Sequence, residues 1–226
     1  MHMRHIGRLR FGALLTVLFS LLHTGTALGR TLRIVAFGDS LSAGFMLPAS
    51  ASFPGQLESA LRAKGRDVTV VNAGVSGDTA SDGLARLDWS VPKGADLVIV
   101  EFGANDMLRG LDPSITRRAL DQIITKLKAR GASVLLAGMR SVTNLGESYR
   151  ADFEGIYPAL AKEHWVPLYP FFLEGITEEP AFNLGDGIHP NQAGVGKIVA
   201  GILPSVEAAL DQIRDASGAS GPVGNR

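Results

Sequence analysis

The chain has 226 residues, 46% of them hydrophobic, which suits one sizeable domain with a real core plus short extensions. Lys and Arg number 22 and Asp and Glu 22, so there is no electrostatic footprint for a nucleic-acid partner. No cysteine is encoded, which excludes disulfides, cysteine-ligated zinc, thiol nucleophiles and a lipidated lipoprotein N-terminus.

The chain opens with Arg4, His5, Arg8 and Arg10, then an apolar stretch from Phe11 to Leu22, then small residues at Thr24, Gly25, Thr26, Ala27 and Gly29. This is the layout of a secretory signal, and the apolar stretch is too short to span a bilayer comfortably. Residues 1–29 are read as a signal peptide cleaved before Arg30, with an uncleaved N-terminal anchor as the alternative. Export to a periplasm or the exterior follows, with no stable membrane span after cleavage. Cleavage takes away three arginines and no acid, leaving three more acidic than basic side chains.

From Leu32 onward, apolar runs alternate with amphipathic segments. Thr31 to Phe37 has almost no polar face and reads as a buried strand, ended by Gly38. Ser52 and Pro54 open a helix that ends at Lys64-Gly65. Val68 to Val71 is the second strand, and Thr79-Ala80-Ser81-Asp82 is a capping-box pattern starting a short helix that carries Leu84 and Leu87. Asp96 to Phe102 is the third strand. Asp112-Pro113 caps an amphipathic helix with Ile115, Ala119, Ile123, Ile124 and Leu127 on one face, ended by Gly131. Ser133 to Ala137 is the fourth strand, Tyr149 to His164 a helix bent or broken near Pro158, and Val166 to Tyr169 a short fifth strand. Asn191 to about Ile213 is a last helix with a kink expected at Pro204, and residues 214–226 read as a flexible tail. Strands alternating with helices predict an α/β domain over 30–213: a three-layer α/β/α sandwich around a five-stranded parallel sheet.

In such a sheet the loops after the strands share one edge, where open α/β folds place their ligands. Gly38-Asp39-Ser40-Leu41 follows the first strand, Asn72 to Thr79 the second and Gly103-Ala104-Asn105-Asp106 the third. Gly185-Asp186-Gly187-Ile188-His189-Pro190 precedes the last helix. Taken alone, each loop has a bland reading as turn chemistry: Asp-Ser after Gly for Ser40, backbone permissiveness for Gly77, a turn residue for Asn105, a turn brace for Asp186. Of five histidines, His2, His5 and His23 lie in the signal, and His164 at a helix end suits a C-terminal cation. His189 is therefore the candidate imidazole base by elimination. Pro190 pushes His189 out of helical geometry, so Asp186 three residues earlier can reach the ring's other nitrogen. A serine hydroxyl needs such a base to become a nucleophile. Its tetrahedral intermediate needs donors, for which the N–H groups of Ser40 and Gly77 and the Asn105 amide are candidates.

The four blocks Gly38-Asp39-Ser40-Leu41, Ser76-Gly77-Asp78-Thr79, Gly103-Ala104-Asn105-Asp106 and Asp186-Gly187-Ile188-His189 resemble those of the SGNH, or GDSL, hydrolases, in that family's order. The likeness covers about Arg33 to Ile213. The longer strings around Ser40 and His189 are similar to the secreted arylesterase, acyl-CoA thioesterase I and lysophospholipase branch. The resemblance implies a flavodoxin-like sheet of order 2-1-3-4-5 and metal-free hydrolysis of esters or thioesters without a cofactor. It also implies that Ser40 is the nucleophile, His189 the base, Asp186 its orienter, and Gly77 and Asn105 oxyanion donors beside the Ser40 N–H. Gly74 and Ala104 stand where the family varies.

Rival motifs do not fit. Gly74-Val75-Ser76-Gly77 lacks the last glycine of a nucleophile elbow, Gly194-Val195-Gly196-Lys197 lacks the frame of a phosphate loop, and clustered metal-binding histidines are missing. Phe45, Met46 and Leu47 after the serine, and Met107, Leu108 and Leu111 after Asn105, are candidates to line an acyl groove, or else anchor their loops onto the core. The expected activity is an exported serine esterase acting on aryl and short-to-medium acyl esters or thioesters, with lysophospholipids a neighbouring substrate class. The expected state is a monomer or weak dimer. A carbohydrate O-acetylesterase and a lipid-binding protein retaining the fold are the alternatives.

Overall fold

A computed structural model describes residues 30–218 of the protein. The signal-like stretch 1–29 and residues 219–226 of the expected tail lie outside the described residues. Five parallel strands, β1 (Leu32–Gly38), β2 (Val68–Asn72), β3 (Leu97–Glu101), β4 (Ser133–Ala137) and β5 (Leu168–Tyr169), are ordered β2-β1-β3-β4-β5. This is the order the family resemblance implied. β3 is the central strand and β1 is paired on both sides, and Ile34 to Phe37 and Leu97 to Val100 are wholly buried, which is why their sequences show no polar alternation. β2, at an edge, keeps only Val68 fully buried.

Among the described residues seven α-helices complete the layers: α1 (Ser40–Ala43), α2 (Phe53–Ala63), α3 (Ala80–Ser90), α4 (Ala104–Leu108), α5 (Pro113–Ala129), α6 (Glu147–His164) and α7 (Gln192–Gly218). α2 packs against α7, while α3, α5 and α6 pack side by side. The caps are those the sequence marks: Ser52 Oγ accepts from Gly55 N, Thr79 and Asp82 close a full capping box, and Asp112 accepts from Ser114 N. Ends differ where local pattern is ambiguous. α6 starts at Glu147 and passes through Pro158 unbroken, with Phe153, Ile156, Tyr157 and Leu160 buried on either side of the proline to hold it. α7 also passes through Pro204 and continues to Gly218 instead of ending near Ile213. Residues 214–217 contain no breaker, and Ser217 Oγ returns a hydrogen bond to the Ile213 carbonyl.

Two short helices stand where the sequence suggested loops. α1 begins directly after β1, with Asp39 as its cap (Leu41 N to Asp39 Oδ1, 2.9 Å) and Gly44 ending it at φ 80°. α4 begins at Ala104, two residues separating it from β3, with Gly103 as its N-cap. The chain leaves β1 for the edge strand β2 and returns to β3, so the C-terminal ends of β1 and β3 flank the switch point where α/β sheets open a crevice. Ser40 stands at the head of α1 and Asn105 on α4, on the two sides of that crevice.

Candidate active site

The four blocks meet at the C-terminal edge of the sheet. His189 Nε2 lies 3.0 Å from Ser40 Oγ, and His189 Nδ1 lies 2.7 Å from Asp186 Oδ2. The other carboxylate oxygen, Oδ1, accepts the backbone N–H groups of Ile188 at 2.9 Å and His189 at 3.0 Å. Those two backbone bonds, followed by the imidazole contact, pull the Asp186 carboxyl down to about 2, so it is ionised at every ordinary working pH. The loop is pinned at both ends: Leu184 N donates to the His189 carbonyl at 2.7 Å and Asn191 N to the Phe182 carbonyl at 2.9 Å. Ser40 itself is only 8% exposed.

The backbone N–H of Ser40 is the first of α1 and has no acceptor within that helix. Gly77 takes φ 88°, a conformation glycine adopts without strain, and its N–H has no protein acceptor among the described residues. The Asn105 amide points both its hydrogens at protein oxygens, Asp39 Oδ2 and the Asp78 carbonyl, each at 3.0 Å. Asp39 is thus a hub: one oxygen holds α1 through Leu41, the other holds Asn105. Burial raises its pKa to about 6. Behind it Glu101, at the end of β3, is fully buried; its Oε2 accepts from Ser42 Oγ at 2.8 Å and its Oε1 has no partner among the described residues. Burial, then the Asp39 charge, raises Glu101 well above the ordinary carboxylate range. Gly74 packs so close to α1 that a Cβ there would strike the Ala43 backbone nitrogen, so glycine is needed at this position of the chain whatever the family allows.

A cavity of about 750 Å³ opens beside Ser40 and His189. Of the six residues expected to line it, Met107 and Leu108 do. Phe45, Met46, Leu47 and Leu111 are not among its walls. Phe45 lays its ring over that of His189, centroids 4.3 Å apart, while Met46 points into solvent at 81% exposure. Leu47 packs on the core, and Leu111 closes the α4 turn through its N–H to the Asp106 carbonyl. The remaining apolar wall comes from Leu41, Ala104, Met139, Val142, Phe171, Leu173, Ile176 and Ile188. The segments after β4 and β5 carry no motif, so only their position after strands of the same sheet hinted at this role.

His164 is the last residue of α6, with Nε2 2.6 Å from Asp121 Oδ1. Asp121, Glu163 and His164 bring ligand atoms within 4.8 Å of one another, the spacing of a possible metal cluster, but none of the three lines the Ser40 cavity. Glu163 there already pairs with Arg117 at 2.5 Å.

A flavodoxin-like sheet with serine, imidazole and carboxylate in hydrogen-bonded series beside an apolar cavity defines the class as an α/β acyl hydrolase. Residues 36–196 match the GDSL-like lipase/acylhydrolase family, and the chain belongs to that family. It is similar to an arylesterase of Vibrio mimicus, 43% identical over 162 residues (70% of this chain and 80% of the relative). It is likewise similar to thioesterase 1/protease 1/lysophospholipase L1 of Escherichia coli K12, 44% identical over 160 residues (70% and 76%). The solved structure of AlinE4, an SGNH-hydrolase family esterase, is 43% identical with a TM-score of 0.68, covering 81% of this chain and 99% of that one. The family is one of acyl hydrolases, and a further relative, 37% identical over 188 residues, is named esterase TesA of Pseudomonas aeruginosa.

Proposed function

We propose that the protein is an exported serine esterase that cleaves aryl and short-to-medium acyl esters or thioesters, with lysophospholipids as a related substrate class. Ser40 Oγ attacks the acyl carbon while His189 Nε2 takes its proton. Asp186, held ionised by two backbone donors, fixes the proton on His189 Nδ1 so that Nε2 is free to accept. The developing oxyanion is received by the N–H groups of Ser40 and Gly77. Asn105 joins them by sharing a hydrogen now aimed at Asp78. His189 then protonates the leaving group, and the acyl-enzyme is hydrolysed by a water that His189 activates. The acyl chain lies against Met107, Leu108, Met139 and Ile176.

The observation that carries this reading is the unbroken series Ser40 Oγ, His189 Nε2, His189 Nδ1, Asp186 Oδ2 at the mouth of an apolar cavity. The signal-like residues 1–29 support export to the periplasm or exterior. The test is hydrolysis of p-nitrophenyl esters from acetyl to palmitoyl by the wild type and by Ser40→Ala, with the N-terminus of secreted protein sequenced alongside. Turnover peaking between butyryl and octanoyl and lost in Ser40→Ala is expected, with a chain that begins near Arg30. A Ser40→Ala protein that keeps most of its turnover refutes the mechanism, and acetyl-only activity refutes the acyl-chain assignment.

A further inference from the structure

Arg86 is buried at 5% exposure on α3 beside Leu87, on a face where an amphipathic reading leaves no place for a charge. Its guanidinium stands over the Phe37 ring, 4.7 Å from the centroid, with Phe102 at 5.8 Å. From that apolar seat it reaches three acceptors, one at the end of β1 and two at opposite ends of the loop after β2. Nη2 donates to the Gly38 carbonyl at 2.9 Å, Nη1 to the Ala73 carbonyl at 2.8 Å and Nε to the Asp78 carboxylate. Gly38 is two residues before Ser40, Ala73 begins the loop after β2, and Asp78 directly follows Gly77. The Gly38 carbonyl also accepts Val75 N–H at 3.0 Å, so both its lone pairs join the two loops.

A planar fork with five donors can hold three divergent acceptors at fixed separations, whereas an ammonium is a point charge that cannot. All three bonds engage carbonyl or carboxylate oxygens, so none competes for the N–H of Ser40 or of Gly77. Arg86 is not part of the cavity wall.

We propose that Arg86 is a positioning residue of the hydrolytic site, setting the separation of the Ser40 and Gly77 N–H groups that receive the oxyanion. The role rests on the serine-esterase reading above. Because the acyl chain is held elsewhere, a displaced donor pair weakens transition-state binding and leaves ground-state binding alone, so kcat falls while KM holds.

The test compares the full-length wild type with Arg86→Lys, Arg86→Met and Asp78→Asn on p-nitrophenyl butyrate. Active sites are counted by fluorophosphonate labelling, and affinity is measured for an alkyl trifluoromethyl ketone, whose serine adduct carries the oxyanion. Per labelled site, kcat is expected to fall at least about tenfold in Arg86→Lys and further in Arg86→Met, against the ~10²–10³ lost with a whole donor. KM stays within about threefold and ketone affinity falls in step with kcat. Asp78→Asn, which keeps the arginine and its two carbonyl bonds, shows a smaller fall of the same kind. A per-site kcat within about twofold of wild type overturns the role, as does a loss wholly accounted for by fewer labelled sites, since that marks a merely stabilising residue. If the Arg86 variants do not fold, the same criteria applied to Asp78→Asn decide. Wild-type turnover that survives in a Ser40→Ala control overturns the parent reading and this role with it, before any Arg86 result is read.

Discussion

Replacing Asp186 by asparagine should be more damaging than replacing it by alanine, although asparagine is the closer isostere. Oδ1 of Asp186 accepts two backbone N–H groups, from Ile188 and His189, while Oδ2 faces His189 Nδ1. An asparagine placed there keeps its oxygen on the two N–H groups and turns its NH2 toward Nδ1. Nδ1 must then accept, the ring proton moves to Nε2, and Nε2 presents a donor to Ser40 where an acceptor is required. Flipping the amide restores the useful tautomer but forfeits two hydrogen bonds, each worth roughly five- to tenfold, and sets N–H against N–H. The competent arrangement is then populated at about one per cent or less. A neutral amide also fails to stabilise the imidazolium, which brings the expected loss in kcat to ~10⁴. Alanine removes the orienter without trapping the wrong tautomer, so its loss is expected at ~10²–10³, within the range of general-base effects. Steady-state hydrolysis of p-nitrophenyl butyrate by both variants is the assay. Asparagine outperforming alanine, or keeping more than about a tenth of wild-type turnover, refutes the tautomer argument.

Leu108→Glu puts a charge on the apolar cavity wall. With about 0.8 kcal/mol per buried methylene, displacing two methylenes of an octanoyl chain lowers the octanoyl-to-butyryl preference roughly fifteenfold, and an unchanged preference removes Leu108 from the acyl site. Glu101→Gln should leave stability near the wild-type value at pH 5 and exceed it at pH 8. A carboxyl whose folded pKa is raised holds its proton in the native state while the unfolded chain loses it, so stability drains away as pH rises above about 4.5. Glutamine mimics the protonated acid and has no such slope; parallel Tm profiles for the two proteins between pH 5 and 8 would show Glu101 is not the source.

Much of the fold is legible locally. The capping box at Thr79–Asp82 forms as written, β4 spans the residues its pattern marks, and Asp112-Pro113 opens α5. Where local signals are weak, ends drift. β5 keeps only two of four expected residues, because a short edge strand has little apolar run to define it. α1 and α4 are four and five residues long, too short for a 3.6-residue period to register. Among candidate site residues, Ser40, Gly77, Asn105, Asp186 and His189 are legible because their four short blocks, each ordinary alone, occur together in one order.

The walls of the cavity do not stand out, since Met139, Phe171 and Ile176 are apolar residues in a chain full of them. Phe45 shows the same limit from the other side. Its place after the serine suggested an acyl contact, but its ring rests on the imidazole. Arg86 was illegible for a different reason: a buried charge is tolerated only when its acceptors arrive, and these come from the ends of β1 and β2 and from Asp78.

By itself, then, the sequence determined the alternating elements, their caps and which side chains are candidates for the reaction, since periodicity, capping and motif chemistry are properties of neighbours along the chain. Tertiary structure decided which loops wall the cavity, where the Asn105 hydrogens point and why Asp39, Arg86 and Glu101 can be buried. Those outcomes depend on which strand ends are adjacent in the β2-β1-β3-β4-β5 sheet, a relation between segments far apart in the chain.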